Sequence, residues 1–330
     1  MITGIGSLPF TDVDEAIDLI FSTCGEIPFW PQLPKRSAKE NMYTTFLDGV
    51  PCISVDEAKG AAYMDTEKTE GIEEFYENFA AGNLEAFAIT PESAPGFYRF
   101  LERLYEVKEG ARYIKGQLTG PFSMGLGLPD ENGKPVIYNP GYFDIIKKAL
   151  HMKARWMIDK IEREASGKEL IIFFDEPYMV SFGSAYVSIG KEEASSLFNE
   201  VTEGLKARRG VHCCGNTDWS VLFNTSLDIV NYDAFNFLET ITYFSEDLLR
   251  FLKRGGWIAP GIIPSSEKVL EISIQDILTL WDVFVVQMKQ MGVDAKEKPW
   301  LFTTSCGLGS LDIPETKAAM KLLGELARRL

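Results

Sequence analysis

Histidine, paired cysteines and long apolar runs are all scarce in this chain of 330 residues. Only two histidines occur, and the five cysteines are an odd number scattered along the chain. They are Cys24, Cys52, Cys213, Cys214 and Cys306. A small secreted domain held by disulfides would carry a dense, even set of cysteines, so that class of protein is excluded. Free thiols of this kind suit a reducing cytoplasm, where they bind metal, react or simply pack.

The chain also shows no sign of a targeting segment or of affinity for anionic partners. No basic and apolar leader opens it, and no apolar run approaches the roughly 20 residues that span a bilayer. Acidic residues outnumber basic ones by 48 to 33, which gives a net charge of -15. Because such a surface repels phosphate groups, we expect neither nucleic acid nor a membrane as partner. The 45% hydrophobic content is enough for a globular protein with a large core.

Strand-like and helical segments alternate along the whole sequence. Each of eight apolar strand segments is followed by helical sequence, which predicts an α/β fold of the (β/α)8 TIM barrel type. A doubly wound open sheet is the alternative. The predicted strands are residues 2–7, 27–30, 113–118, 170–174, the segment around His212, 229–239, 257–263 and 301–305. We interpret residues 1–330 as one domain with an irregular insertion over 35–95.

Several helix boundaries are also marked in the sequence. Ser273 and Asp276 have the spacing of a capping box for a helix that reaches about Met291, and Asp312 and Glu315 have it for the terminal helix. A long amphipathic helix is predicted to end at about Glu164.

Polar residues fit for chemistry fall where the predicted strands end. They are Ser7, Thr119, Asp175, Glu176, His212, Cys214, Glu239 and Cys306. Active sites of (β/α)8 barrels lie at the C-terminal ends of the strands, so this distribution favours the barrel over the open sheet.

The stretch Val211-His212-Cys213-Cys214-Gly215 is the densest group of soft metal ligands. On a strand, side chains alternate, so His212 and Cys214 would share one face and Cys213 would point the other way. Zinc takes imidazole and thiolate ligands, and Cys306 at the last strand end is a third candidate. The alternative is a core histidine among buried thiols, because His-x-Cys alone is not specific.

Four motifs together with these ligands resemble one family. Ile5-Gly6-Ser7-Leu8-Pro9, Leu118-Thr119-Gly120-Pro121, Asp175-Glu176-Pro177 and Ser305-Cys306-Gly307-Leu308 occur in the order seen in the catalytic domain of cobalamin-independent methionine synthase. The resemblance spans nearly the whole chain. It suggests a short, single-domain form of this family, within the superfamily that also contains uroporphyrinogen decarboxylase.

This resemblance implies a zinc-dependent methyltransferase that methylates a small-molecule, homocysteine-like thiol. The implied zinc ligands are His212, Cys214, Glu239 and Cys306. Asp175 is similar to the family's catalytic anchor for the substrate amino group, and Ser7 lies where the family binds the substrate carboxylate. The neighbouring motif residues Gly6, Thr119 and Glu176 are further candidates for substrate binding. The plainer interpretation of Asp175-Glu176 is a pair that only caps a strand end.

The sequence departs from the family where the folate methyl donor is bound. Gly127 occupies the place of a tryptophan that stacks on folate, and Val180 and Ser181 replace an Arg-Glu pair. The family's proton-donating histidine has no counterpart in Ala259-Pro260-Gly261-Ile262-Ile263-Pro264-Ser265. We therefore expect a methylcorrinoid as donor, carried by a corrinoid protein as partner. The alternatives are a methylcobamide:coenzyme M type of thiol methyltransferase, a metal-free decarboxylase and a non-catalytic zinc-binding protein.

Overall fold

A six-stranded parallel sheet forms the centre of the computed structural model, which describes residues 1–56, 61–295 and 299–330. Residues 57–60 of the predicted insertion lie outside that description. The strands are adjacent in chain order, and each pairs in parallel with the next. They are β3 (Tyr113–Thr119), β4 (Glu169–Asp175), β5 (Arg208–Cys213), β6 (Ile229–Tyr232), β7 (Trp257–Ile263) and β8 (Thr303–Thr304). The α/β class is thereby confirmed.

The first two predicted strands lie beside this sheet as single parallel bridges. Ile2 bridges Phe302, just before β8, and Phe29 bridges Lys115 on β3. Ser7 and Gln32 bridge each other. The amino-terminal segments therefore lie between the two outer strands of the sheet.

Helices cover the outer face of the sheet. They are α1 (Val13–Thr23), α2 (Ile72–Ala81), α3 (Pro95–Arg103), α4 (Pro121–Gly127), α5 (Pro140–Glu164), α6 (Lys191–Thr202), α7 (Trp219–Phe223), α8 (Ala234–Phe237), α9 (Ser245–Lys253), α10 (Ile274–Gln290) and α11 (Ile313–Arg329). Both predicted capping boxes are confirmed, at Ser273 with Asp276 and at Asp312 with Glu315. None of the helices in the described residues is both long and apolar enough to cross a membrane.

Two layers of apolar side chains hold the sheet. A small cluster fills the inner side of the strands and contains Phe173, Ile229 and Trp257, while a much larger one lies between the sheet and the helices. Residues 170–175 of β4 are all buried, as a strand covered on both faces requires.

The strand register brings polar residues to one level at the C-terminal edge. Thr119 pairs with Asp175, Asp175 with His212, and His212 with Asn231. Because residues in register on parallel strands point to the same side of a sheet, this level forms the base of a site.

The predicted strand over 229–239 is wrong at its C-terminal end. β6 stops at Tyr232, and the Asp233 side chain caps α8 by accepting a hydrogen bond from the Asn236 backbone N–H at 2.9 Å. The chain therefore turns into a helix before it reaches Glu239.

The predicted insertion folds as short pieces around the sheet. Besides α2 and the start of α3, it contains an antiparallel hairpin of β1 (Ile53–Asp56) and β2 (Ala61–Met64) and three 3₁₀ turns. Lys153, fully buried on α5, donates a hydrogen bond to the carbonyl of Asp48 at 2.6 Å. The segment before this anchor, residues 40–42, reaches the C-terminal edge of the sheet.

Candidate metal centre

A cavity of about 340 Å³ opens at the C-terminal edge of the sheet. Its lining joins the ends of several strands to the residues 40–42. The lining residues are Ile5, Ser7, Gln32, Pro34, Glu40, Asn41, Met42, Asp175, Pro177, His212, Cys214, Cys306, Gly307, Gly309 and Ser310. Candidate residues from both ends of the sequence therefore meet in one concave site, as small-molecule sites commonly do.

Three potential metal ligands converge on this cavity. The ligand atoms of His212, Cys214 and Cys306 all lie within 4.8 Å of one another. β5 ends at Cys213, and its alternation sends His212 and Cys214 to the cavity while Cys213 is completely buried in the outer core. The local arrangement predicted from His-x-Cys is thus present, and Cys306 joins it from beyond β8.

The His212 ring is held with one nitrogen free. Asn231 donates from Nδ2 to the carbonyl of Ala259 at 2.6 Å and to Oγ1 of Thr303 at 2.8 Å. Its Oδ1 must therefore face His212 Nδ1 as an acceptor, which places the ring proton on Nδ1. The other nitrogen, Nε2, is buried and has no hydrogen-bond partner. Burial lowers the pKa of His212 to about 4, so the ring is neutral and Nε2 offers a lone pair.

The two cavity thiols act on each other. The hydrogen bond from Cys306 lowers the pKa of Cys214 to about 7, while the same contact, together with burial, raises the pKa of Cys306. Two hydrogen-bonded sulfur atoms thus lie beside the free imidazole nitrogen. Two sulfur atoms and one nitrogen are the donor set that zinc prefers.

Asp175 lies in the cavity wall with one oxygen unpartnered. Its Oδ1 is buried and accepts no hydrogen bond from the described residues. Burial raises the pKa of Asp175 to about 7, and the attraction of Lys115 opposes that rise. Lys115 is completely buried, which lowers its own pKa to about 7 against the attraction of Asp175. An unpaired carboxylate oxygen in a cavity is a receptor for a cationic or hydrogen-bond-donating group.

Ser7 and Gly6 occupy different layers of the site. Ser7 lines the cavity, and its Oγ accepts a hydrogen bond of 3.4 Å from the Gly309 backbone N–H. Gly6 lies beneath it, where a Cβ atom would come within 2.7 Å of Oε1 of Gln32 and 2.8 Å of Nε2 of Gln117. Ser7 is therefore available to a ligand, whereas Gly6 leaves room for two amide side chains.

The side chains of Glu176 and Thr119 form hydrogen bonds within the protein. The two carboxylate oxygens of Glu176 accept hydrogen bonds from the backbone N–H groups of Phe122 at 3.0 Å and Ser123 at 2.7 Å. The hydroxyl of Thr119 donates to the carbonyl of Met42. Both residues lie outside the cavity lining, so they position α4 and the residues 40–42 respectively and do not touch a ligand there.

Glu239 is not brought to the three ligands. It is exposed beyond α8, and its Oε1 accepts a hydrogen bond from Gln287 on α10 at 3.0 Å. This geometry does not bring the predicted ligand to the cluster, because β6 ends at Tyr232, seven residues before Glu239. The carboxylate at the actual strand end is Asp233, which is 5% exposed and whose charge opposes the lowering of the Cys214 pKa by the Cys306 hydrogen bond.

The positions that depart from the folate-binding pattern form one wall beside Cys214. A Cβ atom on Gly127 would lie 2.6 Å from the Tyr43 ring, and Tyr43 packs edge-to-face on Tyr178 with ring centroids 6.5 Å apart. Val180 is half exposed and lies against Gly215. The space of a side chain at position 127 is thus filled by the rings of Tyr43 and Tyr178.

Sequence reasoning missed several residues that line the site or contact its candidate ligands. Asn231 and Asp233 lie in the stretch that was taken as the middle of a longer strand, and correct placement of the strand end would have exposed both. Gln32 and Glu40 carried no motif. They enter the cavity only because the segment after Trp30 and the turn over 38–40 fold back onto it.

Comparison with known proteins gives matches only among solved structures. No protein-family model and no curated protein matches the chain. A methyltransferase from Methanosarcina mazei matches with a TM-score of 0.59 at 13% identity, over 99% of this chain and 94% of that chain. A Listeria monocytogenes protein described provisionally as a vitamin-B12-independent methionine synthase also matches with a TM-score of 0.59, at 14% identity over 97% and 86%.

A third match is shorter. The B12-independent methionine synthase from Shewanella sp. W3-18-1, solved with selenomethionine, matches at 20% identity over 70% of this chain and 67% of that chain, with a TM-score of 0.48. The near-complete coverage by the other two structures confirms, at the level of the fold, the resemblance carried by the sequence motifs. The chain has the fold shared by the Methanosarcina mazei methyltransferase and the vitamin-B12-independent methionine synthase-like structure from Listeria monocytogenes.

Proposed function

We propose that this protein is a zinc-dependent methyltransferase that activates a homocysteine-like thiol and methylates it. The observation that carries the proposal is the meeting of a free imidazole Nε2 and two thiols, all within 4.8 Å, at the wall of a cavity. The fold shared with a methyltransferase supports the same reaction class.

The side chains present fit a zinc ion. His212 would bind through Nε2, because its other nitrogen is held by Asn231, and Cys214 and Cys306 would bind through sulfur. We propose Asp233 in place of Glu239 as the carboxylate member of the set, since it stands at the end of β6 and its charge acts on Cys214; its two oxygens, which accept hydrogen bonds from Asn236 at 2.9 and 2.7 Å, would have to turn from that residue to the metal. When bound, zinc supplies deprotonation of a substrate thiol near neutral pH, at which a free thiol with a pKa of about 8.5 is mostly protonated.

The cavity is suited to a thiol that carries an ammonium group. Asp175 offers an unpartnered oxygen, whereas the second acidic side chain of the lining, Glu40, is already paired with Arg36 at 2.9 Å. Ser7 lies in the same lining as a hydrogen-bond donor for a carboxylate. These groups bind and orient the acceptor, and the apolar walls exclude water from its sulfur.

We propose a methylcorrinoid as the methyl donor, delivered by a corrinoid protein. The wall at Gly127, Tyr43 and Tyr178 leaves no room for a further stacking side chain at position 127. The stretch from Ala259 to Ser265 offers no imidazole to protonate a folate leaving group, whereas a reduced cobalt centre leaves without a proton. Methyltetrahydrofolate is therefore the less suitable donor.

The remaining architecture is also part of the proposal. The bridges at Ile2, Ser7 and Phe29 support a (β/α)8 barrel in which two short amino-terminal strands close the sheet. We infer one catalytic domain over residues 1–330 and a cytoplasmic location. The five free thiols support the latter.

A methyl-transfer assay tests the proposal. Homocysteine and coenzyme M serve as acceptors, and each is paired with methylcobalamin and with methyltetrahydrofolate. We expect methylation of homocysteine by methylcobalamin. Transfer from methyltetrahydrofolate without any corrinoid would contradict the donor assignment, and methylation of coenzyme M alone would assign the protein to the coenzyme M class.

A pair of cysteine variants tests the metal. Cys306→Ser removes a ligand, so we expect loss of bound zinc and of methyl transfer from a protein that remains folded. Cys213→Ala is the matched control, because Cys213 is the neighbouring cysteine on the opposite face of β5. If Cys306→Ser unfolds the chain, the site is structural and the protein is a non-catalytic zinc binder.

A measurement of bound zinc in the purified protein tests the alternative of a metal-free decarboxylase. Neutralising several propionate groups requires clustered arginines, and no arginine lines the cavity in the described part of the chain. If protein purified without added zinc contains no bound zinc, that result would favour the decarboxylase class over methyl transfer.

A further inference from the structure

A chain of amide side chains connects the buried Lys115 to the cavity. Lys115 Nζ donates to the carbonyl of Ile5 at 2.7 Å and to Oε1 of Gln117 at 3.1 Å. Nε2 of Gln117 donates to the carbonyl of Trp30 at 2.9 Å and to Oε1 of Gln32 at 3.4 Å. Gln32 is the last member of this chain, and it lines the cavity.

The direction of each amide is fixed by groups that can only accept. The carbonyl oxygen of Trp30 has no proton to give, so the Gln117 amide must turn its NH₂ group toward it. The second proton of that NH₂ group points toward Gln32. The Gln32 side chain must therefore accept this hydrogen bond through its oxygen, Oε1. This argument does not depend on the charge of Lys115, since the Trp30 carbonyl alone sets the orientation.

Gln32 is consequently left with an unused donor. Its Oε1 faces Gln117, so its Nε2 is directed away from Gln117, and no hydrogen bond from Nε2 exists to any residue in 1–56, 61–295 or 299–330. The side chain is only 6% exposed. Nε2 is not one of the buried atoms that lack a partner, so this donor is accessible from the cavity that Gln32 lines, and an acceptor atom of a ligand there can take its hydrogen bond.

The backbone places this donor next to Ser7. Gln32 and Ser7 form a parallel bridge, with backbone hydrogen bonds from Gln32 to Gly6 at 3.0 Å and from Leu8 to Gln32 at 2.9 Å. Gly6 permits the contact, because any Cβ there would strike both amides. A rigid part of the fold therefore holds a hydroxyl and an amide side by side.

We propose that Gln32 is a substrate-binding residue that donates from Nε2 to an oxyanion of the thiol acceptor, with Gln117 as its positioning residue. The inference rests on the proposed function for the identity of the acceptor. The oxyanion is a carboxylate or a sulfonate. The unpartnered Oδ1 of Asp175 in the same cavity favours an acceptor that also bears an ammonium group, and hence an amino-acid carboxylate.

Equilibrium binding of the methylated products tests this without turnover. L-Methionine, its decarboxylated analogue 3-(methylthio)propylamine and methyl-coenzyme M are titrated into the zinc-loaded protein and into Gln32→Met, which is similar in size but donates no hydrogen bond. We expect methionine to bind the variant about 10- to 100-fold more weakly, as loss of a hydrogen bond to a charged group predicts. Binding of the amine should change by less than about twofold.

Other variants refine the result. Gln32→Glu places a carboxylate against the oxyanion, so we expect it to weaken methionine binding further while leaving the amine unaffected. Gln117→Met releases the Gln32 amide and should weaken methionine binding, with KM for homocysteine raised and kcat unchanged. Gln290→Met, on the exposed end of α10, controls for the substitution itself, and melting curves verify that each variant is folded.

The outcomes separate the two proposals. A Gln32-dependent loss confined to methyl-coenzyme M would retain the oxyanion role but assign it to a sulfonate. Equal weakening of methionine and the amine, or no weakening of any ligand, would overturn the role of Gln32. Selective weakening in a protein that transfers no methyl group would support Gln32 and overturn the proposed function instead.

Discussion

Replacement of Asn231 by leucine tests whether the neutral His212 ring is held for a metal. Asn231 is completely buried and makes three contacts, to His212, Ala259 and Thr303. Leucine has almost the same size but offers no polar atom. The change therefore removes the acceptor of the His212 Nδ1 proton without opening a large cavity.

The magnitude follows from the groups left without partners. An unsatisfied buried donor or acceptor costs about 1–3 kcal/mol, and the Nδ1–H of His212 loses its only partner. Thr303 retains its hydrogen bond to the carbonyl of Thr304. We expect the free energy of unfolding of the metal-free protein to fall by roughly 2–5 kcal/mol in total. Loss of such a supporting hydrogen bond also weakens metal binding by about 10- to 100-fold.

The assay is a competition for zinc against a chromophoric chelator, accompanied by urea unfolding of the metal-free protein. Leu227→Ala is the matched control, because Leu227 is fully buried just before the opposite end of β6 and its truncation costs a comparable ~2–5 kcal/mol. We expect that variant to be destabilised yet to bind zinc normally. Wild-type zinc affinity in a folded Asn231→Leu protein would refute the orientation argument.

Three further predictions concern carboxylates and a buried lysine. Asp233→Asn should lower zinc affinity in the chelator competition, whereas Glu239→Gln should leave it unchanged; the reverse result would restore Glu239 as the ligand. Glu176→Gln weakens one of two hydrogen bonds to backbone N–H groups and should lower the free energy of unfolding by about 1–3 kcal/mol, with no change in KM for the thiol; a raised KM would contradict its structural role. Burial lowers the pKa of Lys153 to about 8, so between that value and the unfolded pKa of about 10.4 the unfolded state binds more protons at Lys153, and the contribution of this residue to stability should rise with pH. Buried thiols and tyrosines with raised pKa values act in the opposite direction in both proteins, so urea unfolding at pH 7.5 and 10 should show a more favourable change in the wild type than in Lys153→Met; equal changes would show that Lys153 keeps its ordinary pKa.

The sequence predicted the parts of the fold that depend on local pattern. The capping boxes at Ser273 and Asp312 and the buried run in β4 are where expected, because hydrogen bonding and apolar periodicity act over a few residues. The end of β6 was misplaced because Asn231, Tyr232 and the residues of α8 form a continuous mixture of apolar and polar side chains. Only the capping bond of Asp233 marks the turn there.

The sequence predicted the site residues that belong to chemically distinctive types. It did not predict the site residues that belong to common polar types. His212, Cys214 and Cys306 belong to residue types that are rare in this chain, so their positions at strand ends were informative. Glutamine and asparagine are ordinary surface residues, and nothing in the sequence distinguishes Gln32 or Asn231 from the others. Their roles arise from burial and from the fixed carbonyls that surround them.

Both orienting amides are anchored on backbone carbonyls in the strand layer. Asn231 takes its direction from the carbonyl of Ala259 on β7, and Gln117 takes its direction from the carbonyl of Trp30. Carbonyls in paired segments cannot rotate to suit a side chain, so the imidazole and the Gln32 amide are aimed before any ligand arrives. Tyr43, Tyr178 and Val180, by contrast, lie on connections outside the strands. If this outer wall faces the methyl donor, as the proposed function requires, substitutions on it should affect the donor and not the thiol side. A Gly127→Ala change, which displaces the Tyr43 ring, should therefore alter donor KM while zinc content and methionine binding remain at wild-type levels.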